Sequence, residues 1–127
     1  MTNSEKDRYN QMLRERTMKM AININGLFQS KKLTFLTNPT VSQIIRSSSS
    51  VAANFSAATR ARSNAEFFSK ICIVTEECDE TLFWLEYLLR INMLSTDEIK
   101  NIHDEVDQLV RIFNSIKRKM KEKIGIK

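Results

Sequence analysis

The carboxylates Glu76, Glu77, Asp79, Glu80 and Glu86 are crowded enough to suggest chemistry. Carboxylates on facing helices can hold two metal ions when Glu-x-x-His pairs project inward. The chain has one histidine, His103, and no such pair, so a di-metal site is not expected. Cys72 and Cys78 are its two thiols. Six residues apart, they sit about 240° around a helix axis at 100° per residue, facing different ways. Zinc needs more ligands than these and prefers a C-x-x-C spacing. They read as buried or half-buried free thiols. No spacing puts a nucleophile beside a base. The expectation is therefore a protein with no catalysis, metal, cofactor or small-molecule substrate. His103 falls off the neighbouring apolar stripe and is expected to be exposed and inert.

The cations are more informative. Lys117, Arg118, Lys119, Lys121 and Lys123 close the last helical segment, while Arg14, Arg16 and Lys19 belong to the first. Arg46, Arg60 and Arg62 lie in a stretch, 33–62, that contains no acid. Phosphate binding needs several cations on one continuous surface and works by releasing counterions. These residues are the candidate nucleic-acid contacts. The run near the C-terminus also has a structural use, because a helix dipole favours cations at its C-terminal end.

Net charge is +5, distributed unevenly: +4 over 1–32, +3 over 33–62, −4 over 63–94 and +2 over 95–127. The acidic third segment is either a solvated face or a surface complementary to the basic helices of another subunit, which would set partner choice more than affinity. Glu76, Glu77, Glu80, Trp84 and Tyr87 are the candidate oligomer contacts. Aromatic residues are enriched at interfaces, although packing within the fold would use Trp84 and Tyr87 equally well.

Four amphipathic helices must position these groups. Ile99, Ile102, Val106, Leu109, Phe113, Ile116 and Met120 follow a strict 3-4 spacing, and Ser95-Thr96-Asp97-Glu98 is a capping box before them. A helix over 96–122 follows. Phe67, Ile71, Val74, Cys78, Thr81, Leu85 and Leu88 form a second stripe behind Ser63-Asn64-Ala65-Glu66, another capping box, predicting a helix over 64–92. Asn38-Pro39 reads as a cap followed by a first helical residue, opening a helix over 39–61. Val41, Ile44, Ile45, Ser48, Ala52, Phe55 and Thr59 form its inward face. The serine run 47–50 falls inside that pattern and reads as helix with small side chains for close packing. Asn54 lies beside the same face, where a half-buried amide needs partners. Tyr9, Leu13, Thr17, Met20, Ile24 and Leu27 define a helix over 5–31, weakened near its end by Gly26. Short connections favour antiparallel neighbours. The predicted fold is all-α: one domain over 1–127, an antiparallel up-down-up-down four-helix bundle.

Two Gly and one Pro in 127 residues fit long helices rather than strands and tight turns. No apolar run approaches the ~20 residues a membrane span requires, and the polar start MTNSEKDRYNQ lacks the apolar core of a signal peptide. A cytoplasmic protein with no membrane role is expected.

Val51-Ala52-Ala53-Asn54-Phe55, Arg60-Ala61-Arg62-Ser63-Asn64-Ala65-Glu66-Phe67 and the following Thr75-Glu76-Glu77-Cys78-Asp79-Glu80-Thr81-Leu82-Phe83-Trp84-Leu85 resemble the signature of the bacterial four-helix-bundle protein family. That family includes proteins encoded by 23S ribosomal RNA intervening sequences and accessory variability determinant proteins of diversity-generating retroelements. The chain departs from it after Phe55, where Ser56-Ala57-Ala58 stands in place of a common Ala-Glu-Gly, so the Glu-Gly pair is missing. The resemblance implies a homo-oligomer, pentameric in the retroelement branch. It also implies RNA or an RNA–DNA hybrid ahead of duplex DNA, and a reverse transcriptase as an enzyme partner. Two functions follow: an oligomeric, non-catalytic adaptor for nucleic acid or a nucleic-acid enzyme, or a protein–protein scaffold whose basic surface only solubilises it.

Overall fold

The computed structural model describes residues 1–125, so the last two residues of the expected 1–127 domain lie outside the described residues. Four helices account for nearly all of it: α1 Asn3–Phe28, α2 Asn38–Ala58, α3 Asn64–Arg90 and α4 Thr96–Lys123. Each packs on its neighbours in chain order, and α1 closes the ring against α4. Cross-pairs fix the directions. From Arg16 in α1 to Lys31 just past its end, the partners on α4 run backwards from Glu105 to Glu98, so the two helices are antiparallel, and Ser47 of α2 meets Thr81 of α3. The four-helix bundle expected from periodicity is present.

Caps set several of the helix starts. The Thr2 hydroxyl accepts from the Glu5 amide at 3.1 Å. Ser95 and Glu98 form the full reciprocal box, at 3.2 and 2.9 Å. The box expected at α3 is one-sided. Ser63 accepts from the Glu66 amide at 3.0 Å, but the Glu66 carboxylate lies 3.8 Å from Arg62 Nε, drawn by the guanidinium. At α2 the cap position is Thr37, not Asn38. The Thr34 carbonyl accepts from the Thr37 and Asn38 amides, and the Val41 amide that an Asn38 cap would take donates to the Thr37 carbonyl at 3.1 Å instead.

Three helix ends come earlier than the periodicity suggests. α1 stops at Phe28, its last inward residue, rather than 31. α2 stops at Ala58 rather than 61, because Arg60 and Ala61 close tighter i−3 bonds before the chain extends into Ser63. α3 stops at Arg90 rather than 92. Asn92 takes a left-handed φ of 61°, and the Met93 and Leu94 amides return to the Leu88 carbonyl, a C-terminal turn that asparagine tolerates after glycine.

The core runs the length of the bundle. Leu13, Ile24, Ile44, Val51, Ile71, Leu85, Val106 and Leu109 are fully enclosed, and the Phe55 and Phe113 rings meet at 5.3 Å across it. Ser47 and Ser48 are buried in α2 as the small-residue pattern implied, and the Thr81 hydroxyl is 2.9 Å from Ser47 Oγ. Asn54 satisfies its amide on its own helix, donating to the Ser50 carbonyl and hydroxyl at 2.9 Å. Cys78 is buried with its thiol pushed up to about 12 by desolvation, while Cys72 is half-buried.

Candidate nucleic-acid interface

Antiparallel packing brings the start of α1, the α2–α3 turn and the end of α4 to one end of the bundle, here called the basal end. Residues 1–10, 58–70 and 115–125 hold ten Lys and Arg against four Asp and Glu. Two clefts open there. One, of about 420 Å³, is lined by Lys6, Asn10, Arg62, Ser63 and Asn64 over Phe67 and Met120. The other, of about 510 Å³, lies between α1 and α4 and is lined by Lys6, Tyr9, Lys119 and Lys123 among others. Lys6, Asn10, Phe67 and Met120 line both, so the clefts adjoin. Met120 ends the α4 stripe half-buried, facing these clefts rather than the closed core.

The structure divides the candidate cations into two groups. Arg16 is spent on structure. Its guanidinium donates to Glu105 at 3.0 and 2.5 Å and to Gln108 at 3.1 Å. That hydrogen bond to Glu105 raises its pKa, and the pair ties α1 to α4. Arg46 is likewise engaged, bridging Glu77 at 3.0 Å and also Glu80. Arg14 and Lys19 are exposed partway along α1, Arg14 donating to Gln11 at 3.3 Å. Arg62 is 91% exposed at the basal end. Arg60 is exposed on the adjoining α1–α2 flank, where it donates to Ser56 Oγ at 3.1 Å. Within the α4 run, Lys119 and Lys123 line the clefts, Lys117 is half-buried, and Arg118 and Lys121 are exposed without lining them.

The acidic and aromatic candidates also separate. Glu77 and Glu80 are occupied by Arg46 of the same chain, whereas Glu76 remains exposed. One turn farther along α3, Phe83, Trp84 and Tyr87 form a cluster with ring centroids 4.9 to 6.1 Å apart. Phe83 is 54% and Tyr87 41% exposed, and the Trp84 Nε1 is buried with no hydrogen-bond partner. Phe83 escaped the sequence reading, although its spacing of four from Tyr87 places both on one helix face. His103 is half-buried rather than exposed, with Nε2 3.5 Å from Glu86 Oε1, because α3 packs beside it.

Sequence reasoning also missed Lys6, Asn10, Asn64 and Phe67. The available signal was topological: in an antiparallel bundle the first turn of α1 must meet the last turns of α4. Among the described residues no group of three or more His, Cys, Asp and Glu is placed to hold a metal ion. The basal end can attract anions through cations held at the rim of open clefts, where charge is solvated and acts by steering and counterion release.

These features describe a four-helix bundle with a basic, clefted end and an aromatic patch on one helix. The family model for 23S rRNA-intervening sequence proteins matches residues 10–115, and the chain belongs to that family. Lys6, Lys119, Met120 and Lys123 lie outside the matched span. A solved structure from Bacteroides thetaiotaomicron VPI-5482, a protein with unknown function from the S23 ribosomal protein family, is similar to it. The two share 27% identity and a TM-score of 0.71, over 82% of this chain and 96% of the other. Comparison with curated proteins gives no match.

Proposed function

We propose that this protein is a non-catalytic, cytoplasmic adaptor that binds nucleic acid through its basal end. The observation that carries this reading is the gathering of cations from three separate chain segments around two adjoining clefts. RNA or an RNA–DNA hybrid is taken ahead of duplex DNA on the family resemblance alone. A nucleic-acid enzyme, such as a reverse transcriptase, is the partner that the resemblance to retroelement accessory proteins supports. No helix of the described chain is long and apolar enough to cross a membrane.

Fluorescence anisotropy of labelled structured RNA over a salt series tests this. The logarithm of affinity should fall linearly with the logarithm of salt, and Arg62→Glu with Lys119→Glu should weaken binding and lower the slope by about one per lost phosphate contact. Equal binding by the reversed protein would overturn it.

A second reading, a protein–protein scaffold, is favoured by the α3 aromatic patch, where Phe83 and Tyr87 stand exposed. A neighbouring subunit packed on Phe83 and Tyr87 would cover apolar surface, and the resemblance supports a pentamer. Light scattering of the wild type and of Phe83→Ser with Tyr87→Ser tests it. Assembly through this patch requires the variant to dissociate.

A further inference from the structure

We propose that the basal clefts receive unpaired bases, so that the ligand class of this end is single-stranded nucleic acid. This rests on the nucleic-acid reading above and specifies it. Cations alone would serve any polyanion, and a duplex most readily, since its phosphates are densest. The basal end offers more than cations. Phe67 sits at the boundary of the two clefts and lines both, half-buried, with Tyr9 in the wall of the larger. Asn10 and Asn64 add side-chain amides, each with a donor and an acceptor of the kind that reads a base edge. The cations Lys6, Arg62, Lys119 and Lys123 surround these groups.

This combination matches how single strands are held: a positive groove follows the backbone while aromatic side chains take the bases. At about 420 and 510 Å³ the clefts fall within the ~300–1,000 Å³ range of small-ligand sites. Two adjoining clefts that share the Phe67 ring, with Lys6, Asn10 and Met120, suit consecutive bases. A duplex keeps its bases stacked and paired, so it can only lie across the rim and meet the cations. A strand whose bases turn out of the stack meets the cations, the rings and the amides together. Stacking on a ring depends little on salt, unlike the phosphate contacts, and the two contributions are therefore separable.

The test compares short single-stranded oligonucleotides, RNA and DNA separately, with duplexes of the same sequence and with inorganic polyphosphate. The single strand should retain binding at salt concentrations that release the duplex and the polyphosphate. Phe67→Leu keeps an apolar side chain on the core but removes the ring. It should weaken single-strand binding about five- to hundredfold and leave duplex binding unchanged. If Phe67→Leu does not fold, judged by circular dichroism, Tyr9→Leu serves the same purpose. Equal affinity for single strand and duplex, or equal losses for both, overturns the base-receiving clefts while the cationic adaptor stands. Binding of neither at low salt overturns both.

Discussion

The two ends of the bundle are made from the same parts, helix termini and short turns, yet they handle charge in opposite ways. At the distal end, residues 25–40 and 86–104 hold four Lys and Arg and four Asp and Glu. Lys31 pairs there with Glu98 at 2.7 Å, and the His103 ring lies 3.5 Å from Glu86. The α3–α4 turn is sealed by Leu94, which is 2% exposed. At the basal end ten cations face four carboxylates, and the core opens into clefts. Unbalanced like charge disfavours a compact state through repulsion. Nothing in helix formation requires it there beyond the dipole's preference for cations at the end of α4. The distal end balances its charges, and the basal end carries an excess of cations around its clefts.

The largest effect that would break this contrast lies just inside the basal end. Phe55→Ala removes half of the ring pair that supports it and should cost about 3–5 kcal/mol, measured by urea unfolding. A small loss would mean that the basal end is already loosely packed. Next in size is the response to a polyanion. Polyphosphate at about a hundred times its dissociation constant should stabilise the wild type by about 2.7 kcal/mol in thermal melts. The gain should fall in Arg62→Glu with Lys119→Glu, and persist in Lys31→Glu at the distal end.

A smaller effect concerns Glu98. Its hydrogen bond with Lys31, helped by the Ser95 amide, holds its carboxyl below the usual range. A depressed carboxylate pKa contributes stability above the unfolded-state value, about 4.3, and that contribution is lost as pH falls through the lowered folded value. Glu98→Gln should therefore flatten the acid side of the stability profile, read from melts between about pH 5 and 3. The smallest effect is expected for Arg46→Gln. Its ion pairs with Glu77 and Glu80 are about half exposed, so their loss should cost at most about 1 kcal/mol. RNA affinity should stay unchanged, since that charge is already occupied. A clear loss of affinity would move Arg46 back among the phosphate contacts.

The helices were legible because their signals are local. The 3-4 stripe of α4, the Ser95–Glu98 box and the buried serines of α2 each concern neighbours within a turn or two, where backbone geometry fixes which side chains meet. Helix ends were less legible. Where α2 stops depends on the extended backbone of Ser63 that α3 requires, and where α3 stops depends on the left-handed Asn92. The charges were least legible, because a cation's role depends on what stands opposite it. Arg16 and Arg62 look alike in the chain. Only packing sets Glu105 against the first and leaves the second 91% exposed.

Periodicity and composition, being properties of the chain, dictate four amphipathic helices, their caps and an excess of basic residues. Which cations stand together at the basal end follows only from packing. Antiparallel packing brings Lys6, Arg62 and Lys123 together from opposite ends and the middle of the chain, and no local rule connects residues that far apart.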